Sequence, residues 1–518
     1  MNKFYASIIC TCFFLSAQAN SRSDIQHIKT VKYNLILRNL NPMIGSWYIL
    51  HVQETKKKQN RFTFHIEVPA DKTVMINLHK IGLQFNEEVC PLWENPKFDL
   101  LAVDFSKHTD PYFPICEGTA FIRLAKPSNT KISSTESISR LLRQNFESGE
   151  KVINLVKPYL VSLAAEQGSN VYGKSGPKKP EMKEPTAALV SYKDDRVPFA
   201  AKHQIGINLK QDLEQLAYGK WYETEMHQGI YVSLMTPEWI TDSIKSSFPD
   251  RVNALNNKEA DKLAYLIAYD LDLYQAEYVA GLQQPGIRNP NALQKQFVPV
   301  GNVPAYRRQD TVGVFIGGFQ QRHGRIKRGP HKGKVYGYTQ NGVTLENLSP
   351  GLATFISTGK RADIISWSQA SSVQQQLVSA RQNGVPIIEN SEPHALVKNW
   401  GWGNWSGDSE GRLQSIRSAI CIQNQNNKRY LIFAAFTSAT PSSMAKVLQS
   451  YQCQMAMHLD MNAYMYVHNA IINYEKSDKV DVEYLHQEME YPKGLKRHRY
   501  ILDNNERDFF YVYRKASL

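Results

Sequence analysis

Apolar and polar positions alternate along most of the chain between residues 24 and 128, and that period of two predicts strands. "KYNLILRNL" (32–40), "SWYILHVQET" (46–55), "RFTFHIEV" (61–68) and "TVMINLHKIGL" (73–83) all read this way. "CPLWENPKFDLLAVDF" and "ICEGTAFIRLAK" extend the β-rich stretch, which predicts a small β-sandwich or similar module in a binding or structural role. The period then changes. In "SSTESISRLLRQNFESGEKVINLVKPYLVSLAAEQ" (133–167) Leu141, Leu142 and Phe146 recur at helical spacing. "GSNVYGKSGPKKPEMKEPTAA" (168–188) is rich in Gly, Pro and Lys and predicts a linker.

From about residue 190 the pattern alternates strands with helices. "GIYVSLM" is a strand, and "TPEWITDSIKSSF" a helix with Thr236 as cap. "KLAYLIAYDLDLYQAEYVAGL" predicts a hairpin, "DTVGVFIGGF" a strand ending in a glycine pair, and "KVYGYTQNGVTL" a hairpin turning at Asn341-Gly342. "SIRSAICIQ" and "KRYLIFAAF" read as paired strands. "TPSSMAKVLQSYQC" reads as a helix capped by Thr440, "QMAMHLD" as a strand, and "DFFYVYR" as a last strand. The expected fold is α+β: an N-terminal β-rich module (20–130), a helical segment and linker (131–188), a C-terminal mixed α/β domain on a strongly bent or barrel-like sheet (189–480), and a C-terminal extension (481–518).

Composition narrows the class. The chain has 518 residues, 42% hydrophobic and 21% charged, as in globular proteins of two or three domains. Its net charge of +13 reads as a solvated Lys-rich surface, or as suiting a nucleic acid, an anionic surface or a polyanionic substrate; no nucleic-acid-binding motif organises the basic runs, so nucleic acid is not an expected partner. Lys3, the apolar stretch "FYASIICTCFFLS" and Ala17-Gln18-Ala19 read as a signal peptide over 1–19. No later stretch approaches membrane-spanning length, so the expectation is a secreted or periplasmic protein. Signal removal would take Cys10 and Cys12 and leave Cys90, Cys116, Cys421 and Cys453, which allow three pairings. Proximity and the domain boundary favour Cys90–Cys116 and Cys421–Cys453; buried thiols are the alternative. No cofactor and no metal site is expected.

Candidate chemistry gathers late in the chain. At the end of "MHLDMNAY" lie His458, Asp460 and Asn462, two residues apart, so an unbroken strand projects all three from one face. A metal set of His458, Asp460 and His468 and a plain loop cap are the competing readings. "NWGWGNWSGDSEG" (399–411) sets Trp400, Trp402 and Trp405 among glycines, as sugar platforms or as loop anchors. "QQRHGRIKRGPHKGK" (320–334) is strongly basic, a solvated loop or an attractor of acidic glycans.

The order "VFIGGFQ" (314–320), "IRSAICIQ" (416–423), "RYLIFAAF" (429–436), a helix, and "AMHLDMNAY" (456–464) resembles the phosphodiester glycosidase-like family, over roughly residues 215–475. The family pattern has Asn-Gly-Gly-Phe-Phe, a strand Arg, and Leu-Asp-Gly-Gly-Gly-Ser. Here Ile316 replaces the Asn, Gln320 the second Phe, and Met461-Asn462-Ala463 the glycines. The resemblance implies an exported hydrolase acting on a phosphodiester-linked sugar or an envelope or exopolysaccharide glycan. The departures imply as the alternative a non-catalytic carbohydrate-binding protein on a degenerate fold. The departing phosphate ester is a weak base, so the reaction needs charge compensation, a stabilised oxocarbenium-like centre and an activated water. Arg417 suits phosphate, Asp460 one of the other tasks, and His458 or Asn462 the orientation of Asp460 or of the water. Gly317, Gly318, Asn462 and the three tryptophans are the expected substrate contacts. A second carboxylate would come from Asp270, Asp363, Asp408 or Glu410.

Overall fold

The structure, a computed structural model, describes residues 25–124 and 199–515, apart from 42, 57–60, 70–73, 94–98, 105–111, 202–204, 292–293, 369–372, 404, 406–413, 426, 475–479, 491–497 and 502. The signal peptide, the helical segment and the linker expected from the sequence lie outside the described residues.

The N-terminal strands pair as the alternation requires. Ile25–Lys29, Tyr33–Asn39, Trp47–Glu54, Arg61–Glu67, Ala120–Leu124 and Phe113–Ile115 lie side by side in that order, all antiparallel. A smaller sheet of Ile76–His79, Gly82–Phe85 and Glu88–Pro91 shares their core of Leu35, Leu50, Phe64, Leu83 and Ile122. This module docks onto the hairpin turn at Asn341-Gly342. Asn41 Nδ2 donates to the Gly342 carbonyl (2.6 Å) and Ser46 Oγ to that of Asn341 (3.2 Å). Trp47 leaves the module's own core and packs on Phe297, with ring centroids 5.2 Å apart.

Three larger sheets follow. The first has Tyr222–Glu223, Ile230–Met235, Ala264–Asp270, Lys428–Ala439, Ser415–Gln425, Cys453–Met461, Ile388–Glu389 and Glu392–Pro393 in spatial order. In the second, Phe509–Arg514 sits between Tyr274–Val279 and Thr311–Ile316, with Asn469–Tyr474 and Val480–Tyr484 beyond. The third runs Val343–Glu346, Tyr338–Gln340, Ser379–Gln382, Ala353–Ser357, Ala362–Ser366. Aromatic rings join them: Phe315 lies 5.3 Å from Phe433 and 5.1 Å from Phe510, which lies 4.8 Å from Phe355.

The expected α+β class is therefore corrected. The described residues form a mostly β protein with antiparallel ladders, and no sheet closes into a barrel. One α-helix of more than a single turn is present among them, Pro441–Ser450. Its cap is as expected, since Thr440 accepts from the Ser443 amide and Pro441 opens the helix. The helix expected at 236–248 breaks into a 3-10 turn, Pro237–Trp239, and one helical turn, Asp242–Lys245, and the Thr236 side chain caps neither. The hairpin expected over 262–282 does not form either. Ala264–Asp270 bonds to Ile230–Met235 and Lys428–Ala439, whereas Tyr274–Val279 bonds to Phe509–Arg514. Both strands are buried along their whole length, so each is better satisfied inside a separate sheet than paired with the other. Asn341 and Gly342 do turn a hairpin, both at positive φ (47° and 76°).

Cys90–Cys116 and Cys421–Cys453 are both bonded, with Cα separations of 5.6 and 5.7 Å. The second joins the neighbouring strands Ser415–Gln425 and Cys453–Met461 beneath the helix. Among the described residues no helix is long and apolar enough to cross a membrane. Each bridge closes a loop of a few tens of residues, about 3–4 kcal/mol in the chain-entropy model. Cys421→Ser with Cys453→Ser should lower unfolding free energy by about that amount in urea, and non-reducing peptide mapping should recover both pairs. A 116–421 link would contradict the structure.

Candidate active site

Asp460 stands where two sheets meet. Its strand pairs with Ser415–Gln425, Arg417 lying opposite Met461 and Ala419 opposite His458. Two residues on one side span three on the other, which is a β-bulge. Within the bulge the Asp460 amide donates to the Gly317 carbonyl (3.1 Å), just past the end of Thr311–Ile316 in the second sheet. The carboxylate takes a 2.5 Å ion pair from Arg507 Nη1, and its other oxygen accepts from the Met461 amide (2.9 Å). Arg507 lies over the Tyr466 ring at 4.2 Å. Nearby, Arg499 donates to the Met465 carbonyl and, at 3.1 Å, to Asn505 Oδ1.

The bulge separates the side chains that the two-residue spacing predicts together. His458 turns to Arg417, with Nη1 and Nε2 3.4 Å apart, and its ring lies edge-on to Phe319 at 5.1 Å. Burial first, and Arg417 second, hold its pKa well below the ordinary value, so the imidazole is neutral. A guanidinium only donates, so Nε2 accepts and the proton sits on Nδ1, which has no hydrogen-bond partner. Arg417 is fully buried and donates from Nε to the Ala439 carbonyl (2.9 Å). Its charge also reaches Glu259, whose carboxyl is raised by burial and eased down by bonds from Thr440. Asn462 adopts φ +87°, a conformation Asn tolerates and glycine favours; its Oδ1 accepts from Ser415 Oγ (3.1 Å).

The glycine pair has a structural reason. A Cβ on Gly317 would come within 2.5 Å of the Asp508 carboxyl carbon, and one on Gly318 within 2.8 Å of Arg381 Nη2. Asp508 and Arg381 form a 2.7 Å ion pair, both fully shielded from water. Burial pushes the Asp508 carboxyl up from its ordinary value, and Arg381 opposes that. Arg381 also donates to the Phe319 carbonyl (2.8 Å), and Asn383 ties the Phe319 amide (3.0 Å) to the His458 carbonyl (2.6 Å).

The expected residues thus divide. Asp460 and Gly317 are bonded neighbours, and Arg417 lies on the adjacent strand, roughly 6 Å away between backbones. Arg417 nevertheless turns to His458, whereas the Asp460 carboxylate turns to Arg507. The tryptophans divide too: Trp405 is buried, Trp400 packs on the core and Trp402 is 45% exposed. Asp270 is bonded to Lys428, and Asp363 to Arg361 and Arg429, away from Asp460; Asp408 and Glu410 lie outside the described residues. His468 is tied to the Met489 carbonyl, not to His458 or Asp460, and no group of three potential metal ligands occurs among the described residues. Sequence reading missed Arg507, Asp508, Arg381, Asn383 and Glu259. The available signal was a charge inside an apolar strand, as in "LVSARQ" and "RDFFYVY".

No family model matches the chain, and no curated protein matches it in sequence. Among solved structures, a weak neighbour is the zebrafish N-acetylglucosamine-1-phosphodiester alpha-N-acetylglucosaminidase catalytic domain auto-inhibited by its pro-peptide. It is 11% identical, with a TM-score of 0.33, covering 56% of this chain and 85% of that one. At that score the likeness carries no argument about chemistry.

Two outcomes follow from the geometry. Gly318→Ala should cost about 1–3 kcal/mol in urea unfolding, because the methyl group meets a guanidinium that cannot yield without breaking its ion pair. Burial, as the main cause, also lowers His227 to about 4 and His468 to about 3. With His458, these groups stay neutral when folded but protonate near pH 6.5 when unfolded. Stability is therefore full above pH 6.5 and falls toward pH 4 and below, by up to about 1.4 kcal/mol per pH unit for each histidine. Urea titrations at pH 7, 6 and 5 measure this. His468→Asn should show a shallower slope, and an unchanged slope would disprove the assignment.

Proposed function

We propose that this chain is a glycosidase-like protein acting on a phosphodiester-linked sugar, with Asp460 as its carboxylate and Arg507 as its phosphate-facing cation. The observation that carries the reading is the Asp460–Arg507 pair, its side chains 8% and 9% exposed, bonded through Asp460 to the glycine turn that the resemblance picks out. Arg417, with no exposed surface, suits a positioning role better than a phosphate contact. Neutral His458 accepts from it and helps hold the strand that presents Asp460.

The chemistry fits that division. A sugar-1-phosphodiester expels a stabilised phosphate ester, so protonating the leaving group matters little. A guanidinium grips two phosphate oxygens and offsets the charge that develops as the bond breaks. Freed from Arg507 by the incoming phosphate, the Asp460 carboxylate can stabilise the oxocarbenium-like carbon or take a proton from attacking water. Export is part of the proposal, and the two disulfides suit an oxidising compartment.

A non-catalytic carbohydrate-binding protein is the second reading. It is favoured by Met461-Asn462-Ala463, which puts side chains where the resembling pattern has three glycines open to a ligand.

Asp460→Asn should reduce turnover of a chromogenic sugar phosphodiester by at least about a hundredfold, with binding nearly kept. Arg507→Gln should chiefly raise KM, and Arg417→Ala should lower the melting temperature. Binding by the wild type without turnover would transfer the assignment to the second reading. Full turnover by Asp460→Asn would refute the first.

A further inference from the structure

Directly after the glycine turn the chain enters a rigid cationic hairpin. Arg325 bridges to Val335, and the Ile326 amide donates to the Lys334 carbonyl (3.0 Å). The Gly333 amide donates to the Ile326 carbonyl (2.8 Å), that of Tyr336 to Gly324 (2.9 Å), and Ile326 is buried in the main core. The arms therefore present side chains from a fixed backbone. Arg325, Lys327, Arg328 and Lys332 are exposed, and among the described residues none has a carboxylate partner. No acidic residue occurs between Asp310 and Glu346. Four cations with no carboxylate partner among the described residues repel one another, at a cost that a polyanion would relieve.

An exposed indole lies against this hairpin. Trp402 is 45% exposed, and a Cβ built on Gly329 would come within 2.6 Å of the Trp402 Cβ. Gly329 has φ +77°, so the turn takes its shape and admits the tryptophan at the same position. A flat apolar face beside fixed cations offers a sugar ring a stacking surface while its acidic groups meet guanidinium and ammonium. The chain leading into the hairpin passes the candidate active site: Phe319, six residues before Arg325, contacts both Asn383 and His458.

We propose that Arg325, Lys327, Arg328, Lys332 and Trp402 form a docking surface for an anionic polysaccharide, one carrying phosphate groups along its length. The surface would hold the polymer beside Asp460, so the substrate would be a chain rather than a free sugar phosphate. The choice of a glycan over a nucleic acid rests on the proposed function; the presence of a polyanion surface does not.

The test uses the full chain carrying Asp460→Asn, so that turnover plays no part in binding. The probes are a polysaccharide of phosphodiester-linked sugars, dextran as a neutral control, and a single-stranded oligodeoxynucleotide of matched charge. The phosphate-bearing glycan should bind, dextran should not, and affinity should fall with salt. Lys327→Glu, Arg328→Glu and Lys332→Glu together should weaken glycan binding at least about tenfold at low ionic strength. Trp402→Ala should weaken it about fivefold, and Trp402→Phe should recover most of the loss. Melting temperatures near that of the parent show that the variants are folded. Unchanged glycan affinity in both the charge-reversed and the Trp402→Ala proteins would overturn the proposal. Tighter binding of the oligonucleotide than of the glycan would overturn its choice of partner. Glycan binding with no turnover by the wild-type chain would refute the reaction while supporting the surface.

Discussion

The Arg381–Asp508 pair ties the third large sheet to the second around the glycine turn, to which the first sheet bonds through Asp460. Arg381 belongs to the third sheet, Asp508 leads into the strand Phe509–Arg514 of the second, and the glycine turn they clasp ends the neighbouring strand, Thr311–Ile316. Two buried charges are costly unless their remaining donors and acceptors are satisfied. Here Asp508 Oδ2 also faces the Gly318 amide at 3.3 Å, and Arg381 donates to the Gln382 and Phe319 carbonyls at 2.7 and 2.8 Å. Removing either partner would leave the other charge uncompensated. The absence of side chains at Gly317 and Gly318 is what lets the pair approach so closely.

The position of Asp460 depends on that clasp. Its amide is bonded to Gly317, and the Phe319 end of the turn reaches the His458 carbonyl through Asn383. Arg507 and Asp508 are consecutive at a bend just before the strand Phe509–Arg514, and they take different partners. Asp508 pairs with Arg381, fully shielded from water; Arg507 pairs with Asp460, where a small part of each side chain is exposed. A structural ion pair and a candidate reactive one are thus set by a single backbone step.

The Arg417 side of the bulge has a different character. Arg417, neutral His458 and the buried Glu259 lie beneath the start of the helix Pro441–Ser450, with bonds to Ala439 and Thr440 fixing where the helix begins. Burial there disfavours charge on His458 and Glu259 alike. Such a group holds still the strand that carries Asp460, whose own ion pair with Arg507 is also largely buried, while the cationic hairpin beyond the glycine turn carries its charges in solvent.

Local pattern alone determined many elements. The N-terminal strands, the Asn341-Gly342 hairpin, the Thr440-capped helix, the paired strands 415–425 and 428–439 and both disulfides follow from alternation, turn chemistry and cysteine spacing. These signals act over a few residues, or over a loop short enough to close. The α+β class failed because short amphipathic runs such as 236–248 carry helical spacing without the length to hold a helix against surrounding strands. The side chains that meet at the candidate site were not legible. Arg507 and Asp460 are 47 residues apart, Arg381 and Asp508 127, and no periodicity links them. The two-residue spacing of His458 and Asp460 predicted one face, but a bulge set by pairing with a distant strand sent them to different partners. Sequence determines which residues carry charge; only the packing of three sheets decides which of those charges meet.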